Sequence, residues 1–243
     1  MSVNILGKNY SIDKTKYIDL SDKNLKTIPH SISLLTNLKE LHLFRNQIAT
    51  IPDFISSLTN LREFNLFDNQ ITNIPDSISL LTNLRVLNLC ANKIENIPSS
   101  ISTLINLRVL SLDANKISII PQSVLLLGNL RTLQLSYNKI TDIPHSISSL
   151  TNLKELYLAR NFITDIPHSI SLLGNLEILH LNKNQITDIP QYISSLTNLR
   201  KLYLSNNHID DLSVDVTLSM SVIYTDFSKQ THKPILYLPP III

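Results

Sequence analysis

The chain has 243 residues, with 21 Lys and Arg against 19 Asp and Glu, so its formal charge of +2 indicates neither nucleic acid nor a membrane surface as the partner. Hydrophobic residues make up 43 %, enough for a substantial core, while the 16 % of charged residues falls below the usual share of about a quarter. Only three glycines are present, which argues against phosphate-cradling loops, and the single cysteine, Cys90, excludes an intrachain disulfide.

The first residues lack the basic start and long apolar run of a signal peptide. No stretch approaches the roughly 18 apolar residues of a transmembrane helix. With no cysteines at either end to staple a cap, the expectation is a reducing, cytoplasmic compartment. The sequon Asn9-Tyr10-Ser11 is a three-residue match of the kind an Asn- and Ser-rich chain contains by chance. Residues 1–14 are read as an N-terminal cap.

Residues 15–212 read as about nine repeats. Proline recurs at 29, 52, 75, 98, 121, 144, 167 and 190, always 23 apart. Asparagine keeps the same period from 46 to 207, and a second asparagine column runs from 37 to 198. In one unit, Leu41-x-Leu43 alternates as a short strand does when one face is buried. Pro52-x-x-Ile55-x-x-Leu58 has the three-residue spacing of one or two helical turns. Proline suits the helix start, because its missing N–H would be unpaired there. One unit cannot bury its apolar side, but stacked units share a core. The asparagine at 46 and its equivalents supply the donors and acceptor that a sharp bend leaves unpaired, so Asn115→Ala, in mid-stack, is expected to cost about 1–3 kcal/mol. Lys23 occupies that position in the first unit. Residues 213–243 read as a degenerate last repeat and C-terminal cap, with Val222, Thr225, Phe227 and Gln230 in phase and the apolar tail 235–243 covering the end.

The pattern Leu-x-x-Leu-x-Leu-x-x-Asn-x-Ile-x-x-Ile-Pro-x-x-Ile-x-x-Leu-x-Asn resembles the 23-residue class of leucine-rich repeats. That class includes Ras–Raf pathway scaffolds, plant Ras-group-related proteins and repeat proteins of bacterial pathogens. The Asn/Ile bias is also similar to repeat proteins of giant DNA viruses. The resemblance implies an α/β solenoid: a horseshoe with a parallel concave sheet, short helical segments outside, and partners bound on the concave face.

Residues between and beside the strand leucines line that face. One candidate contact cluster is Phe44, Phe67 and Cys90 with Val86, His42 and Asn65, edged by Glu40, Glu63 and Arg45. A second is the row Tyr157, His180, Tyr203. Grouped apolar or aromatic residues outside a core point to contact. A basic column from Lys39 to Lys154 reads as a charge-balanced solvated row, since three of its members are followed directly by glutamate. His42 and His180 stand six units, roughly 29 Å, apart at the strand spacing and cannot share a metal. No Gly-rich loop or nucleophile elbow is present, and Cys90 has no histidine in its neighbouring column positions. These features predict a non-catalytic protein-interaction module, scaffold- or effector-like, with no cofactor and no metal. A protein is the expected partner, not nucleic acid or membrane. The expected state is a monomer, with self-assembly through the C-terminal edge as the alternative.

Overall fold

The computed structural model describes residues 1–209 and the backbone of a strand at 222–224. The tail 235–243 lies outside the described residues. The chain opens with an antiparallel hairpin, β1 (Ser2–Ile5) and β2 (Lys8–Ser11). Val3 and Ile5 of this hairpin join the core of the first coil, so its cover is apolar as well as polar. Ten parallel strands follow in strict sequence order. They are β3 (Tyr17–Asp19), β4 (Glu40–His42), β5 (Glu63–Asn65), β6 (Val86–Asn88), β7 (Val109–Ser111), β8 (Thr132–Gln134), β9 (Glu155–Tyr157), β10 (Ile178–His180), β11 (Lys201–Tyr203) and β12 (Val222–Tyr224).

From β3 to β11 each register step is 23 residues, as Glu40 pairs with Glu63 and Glu63 with Val86. The last step is 21: Lys201 pairs with Val222 and Leu202 with Ile223. This corrects the phase expected for the tenth unit. A 23-residue step would put Thr225 at the register position of Leu202; the shorter step puts Ile223 there.

Each return segment begins after a proline in extended conformation, as Pro52 at φ −77 and ψ 153. The seven segments typified by Asp53–Ser57 are 3-10 helices, in which Ile55 N–H donates to the Pro52 carbonyl. Three residues per turn is the 3-10 period, which explains the i, i+3 spacing of Ile55 and Leu58. Ser56 closes its turn by donating its hydroxyl to the Asp53 carbonyl at 2.7 Å. The fifth segment in chain order, Gln122–Leu125, has buried Leu125 where the others carry that serine, and it is α-helical.

Between strand and return the chain turns through one left-handed residue per coil: Arg45, Asp68, Ala91, Ala114, Tyr137, Arg160 and Lys183, all with φ between 53 and 57°. None is glycine, although L-residues pay about 1–2 kcal/mol there. The next residue offsets this. Asn138 Nδ2 donates to the carbonyls of Leu112 and Leu135 at 2.9 and 3.1 Å, and its Oδ1 accepts Ile117 N–H at 2.9 Å. From Leu43 to Leu181 each such carbonyl is shared, as Leu112 O receives both Asn115 and Asn138. At the first coil Asn46 does the work that Lys23 cannot, taking the N–H groups of Lys23 and Leu25 and donating to Leu20 O. The second asparagine column ties exposed turns together, as Asn106 donates to Thr82 O at 2.9 Å.

Candidate functional site

Parallel pairing in register aligns equivalent residues of successive strands about 4.8 Å apart. The pleat sends Leu41, Phe64 and Leu87 inward, where each is fully buried, and leaves His42, Asn65 and Asn88 half-buried on the opposite face. Phe44, Phe67 and Cys90 follow two residues on, all half-buried and outside the core cluster. They were expected on the outward face of the strands. There each is partly covered, and turns fix the backbone: Asn65 Oδ1 accepts Phe67 N–H at 3.0 Å and Asn88 Oδ1 accepts Cys90 N–H at 3.1 Å. Asn65 therefore acts first as a turn-former. Val86 is half-buried beside Glu63 and Val109, and Arg45 is exposed at its left-handed turn.

At the N-terminal end, His42 is the hub. Its ring meets Tyr17 edge-on at 5.3 Å and Phe44 at 6.3 Å, and Nε2 lies 3.1 Å from Glu63 Oε1. The ligand-capable atoms of Glu40, His42 and Glu63 fall within 4.8 Å of one another. The sequence grouped His42 with Glu40 and Glu63 as one contact cluster, and the strand register brings all three together. This trio has the donor types for a divalent cation, while His42 and Glu63 already satisfy each other.

The C-terminal aromatic row also comes together. His180 is registered with Tyr157 and Tyr203, with ring centroids 5.9 and 4.5 Å away. Burial lowers the His180 pKa, which favours a neutral imidazole in an aromatic stack.

Cys90, at the edge of the first cluster, neighbours Asp113 of the next coil. Burial pushes the Cys90 thiol up to about 12, with the Asp113 carboxylate adding to the effect, so it stays protonated and is no nucleophile. Burial raises Asp113 to about 6, opposed by the Ser136 N–H that its carboxylate accepts. A carboxyl with an unfolded pKa near 3.9 and a higher folded value binds its proton more tightly when folded. Stability therefore falls as pH rises from about 4 to about 6, and the penalty is complete above that window. Asp113→Asn keeps an acceptor for Ser136. It is expected to stabilise the fold at pH 7 by on the order of 1–2 kcal/mol, after discounting for water on its open side, and to flatten the pH dependence. Urea midpoints at pH 4 and pH 7 check this; a constant gap between variant and wild type would contradict it.

Charge balancing is corrected. The backbone ladder that carries the basic column begins one coil earlier than expected, at Lys16, and continues through Lys39, Arg62, Arg85, Arg108, Arg131 and Lys154. Lys154 donates to Glu177 at 2.6 Å, holding that carboxyl below its usual range. Among the described residues, no carboxylate comes within salt-bridge distance of Arg62, Arg85, Arg108 or Arg131, and Glu63 turns to His42 instead.

The reading by columns also missed a row on the helical side. Leu34, Leu80, Leu126 and Leu172 are 52, 57, 59 and 62 % exposed, more open than the concave phenylalanines. They alternate with Ser57, Thr103 and Ser149, a 46-residue superperiod that is visible in the sequence.

Comparison with known proteins agrees with this geometry. A family model described as leucine-rich repeat region matches residues 60–224, and one for two-copy leucine-rich repeats matches residues 36–79. Curated proteins gave no match. The structure of a leucine-rich-repeat protein of Leptospira interrogans is 39 % identical at a TM-score of 0.78, covering 80 % of this chain and 50 % of that one. The leucine-rich-repeat ectodomain of the Arabidopsis thaliana membrane receptor kinase GASSHO1/SCHENGEN3, in complex with Casparian Strip Integrity Factor 2, is 30 % identical at 0.77, covering 86 % and 26 %. A plant peptide hormone receptor, RGFR1 in complex with RGF2, is 32 % identical at 0.66, covering 74 % and 30 %. The chain thus spans half the length of the first and less than a third of the others. These matches overturn the cytoplasmic expectation, because a receptor ectodomain shares this fold and repeat. The physical reason is that asparagine ladders and core leucines hold the coils without disulfides, so scarce cysteine does not report the redox compartment. Among the described residues no helix is long and apolar enough to cross a membrane.

Proposed function

The chain belongs to the leucine-rich-repeat family, and on that premise we propose that it is a non-catalytic binding module whose concave face receives a protein partner, in a scaffold- or effector-like role. Proteins of this fold act as interaction modules, and two of the structures above hold bound peptides or factors. The unbroken 23-residue period supports placing the chain in the 23-residue class.

The observation that carries the reading is the registered row Phe44, Phe67 and Cys90, with Val86 beside it and Glu40, Glu63 and Arg45 at its border. These residues stand outside the core cluster, and Phe44, Phe67 and Cys90 hold equivalent places in successive coils, where Arg45 N–H donates to the Phe67 carbonyl and Asp68 N–H to the Cys90 carbonyl. An apolar centre with a polar rim is the layout of a binding hot spot. Phe44→Ala combined with Phe67→Ala is expected to weaken partner binding by at least about 2 kcal/mol. Its melting temperature should fall by only a few degrees. The check is affinity capture with wild type, followed by calorimetry on the purified partner with both proteins. Unchanged affinity would move the centre of binding to Tyr157, His180 and Tyr203.

A further inference from the structure

Seven of the 21 lysines and arginines stand in one row at the start of the strands, so a near-neutral protein carries a segregated basic edge. We propose that this edge binds an extended acidic segment of the partner, its carboxylates on Arg85, Arg108 and Arg131 and its intervening apolar side chains on Val86 and Val109. This rests on the protein-binding reading and names the chemistry of the partner.

Three observations overlap at the coils of Arg108 and Arg131. The guanidinium groups of Arg85, Arg108 and Arg131 are exposed and have no carboxylate in reach among the described residues. The residues that follow them are Val86, Val109 and Thr132, whereas Glu63 and Glu155 follow the basic residues on either side. A cleft of about 290 Å³ lies at this window, lined by Asn106, Arg108, Asn129, Arg131 and Asn152, with no acidic group.

The spacing selects the ligand. In an extended chain, alternate side chains point to opposite sides and repeat every 6.5–7 Å or so. Laid across the strands, such a chain presents one set to the arginines and the other to the valines. Three arginines span two strand spacings, roughly 9.6 Å, which two or three carboxylates match once the flexible stems adjust. The guanidinium fork takes a carboxylate through two parallel hydrogen bonds. A continuous polyphosphate would run out of the window onto Glu63 and Glu155. The short acid-free stretch therefore favours an alternating acidic and apolar motif over nucleic acid or an anionic membrane.

The test uses a fluorescein-labelled peptide, Glu-Leu-Glu-Leu-Glu between Gly-Ser flanks, and fluorescence anisotropy with the full chain. Saturable binding is expected, weakening between about 50 and 300 mM NaCl as screening shortens. The Gln-Leu-Gln-Leu-Gln peptide should not bind. R85E/R108E/R131E should bind the acidic peptide at least about tenfold more weakly and gain affinity for Lys-Leu-Lys-Leu-Lys. Because these arginines have no carboxylate partners to lose among the described residues, the variant should melt like wild type; R85Q/R108Q/R131Q serves if it does not. Equal peptide affinity for wild type and variant overturns the proposal. So does tighter binding of oligothymidylate or phosphatidylserine vesicles than of the peptide. If the triple variant still captures a partner that Phe44→Ala/Phe67→Ala loses, the concave-face reading stands and the acidic-segment proposal falls. If neither variant affects capture, the acidic-segment proposal falls and the Phe44 and Phe67 row falls with it, leaving Tyr157, His180 and Tyr203 as the concave-face candidate.

Discussion

Phe64→Ala is expected to lower the free energy of unfolding by about 3–5 kcal/mol. Phe64 is fully buried in β5, registered between Leu41 and Leu87, and is the largest side chain in the core. Removing the ring forfeits its transfer energy and opens a void. The neighbouring leucines cannot close it, because their strands are fixed by continuous backbone ladders on both sides. Phe44 and Phe67 flank it in sequence yet sit outside the core, so their joint truncation should cost far less. In a solenoid, stability is a sum of unit and neighbour terms. Hydrogen-exchange protection should accordingly drop first between β3 and β6 and less at β9 to β11. Urea denaturation of the two variants decides the matter: similar losses for Phe64→Ala and the double variant would mean that the faces of the sheet are misassigned.

Asn138→Ala is expected to cost about 2–4 kcal/mol. Ile117 N–H loses its asparagine acceptor, an orphan worth about 1–3 kcal/mol. Leu112 O and Leu135 O each lose one donor but keep another, from Asn115 and Asn161. That sharing makes a sharper expectation than any single substitution. Asn115→Ala with Asn138→Ala removes both donors from Leu112 O, so the double variant should lose more than the sum of its parts, by about 1 kcal/mol. Asn46→Ala with Asn184→Ala shares no carbonyl and should be additive. A double-mutant cycle from urea unfolding measures both. Additivity at 115 and 138 would mean that water replaces the missing amides and that the ladder does not couple neighbouring coils.

Buried columns were legible because stacking repeats them: Leu41, Phe64 and Leu87 recur at one spacing, and periodicity reports burial directly. The asparagine ladder was legible for the same reason, although the sharing of each carbonyl between two coils was not, since it depends on the third dimension. The left-handed turn before each ladder asparagine left no trace. Ala91, Tyr137 and Arg160 adopt it without the glycine that marks such a backbone elsewhere, because the asparagine bonds hold it. Electrostatics was the least legible level. Adjacent Arg62 and Glu63 suggested balance, yet Glu63 pairs across strands with His42 instead. The Leu34, Leu80, Leu126 and Leu172 row is a two-unit period, which a 23-residue repeat pattern averages away because Ser57, Thr103 and Ser149 hold the alternate places.

That leucine row is the natural rival to the concave face, and footprinting separates them. Hydroxyl-radical labelling of the chain alone and in complex with its captured partner would report side-chain coverage residue by residue. Concave-face docking predicts loss of labelling at Phe44, Phe67 and Cys90, with Leu34, Leu80, Leu126 and Leu172 unchanged. Protection of the four leucines with undiminished labelling of the phenylalanines would contradict it and place the partner on the helical side.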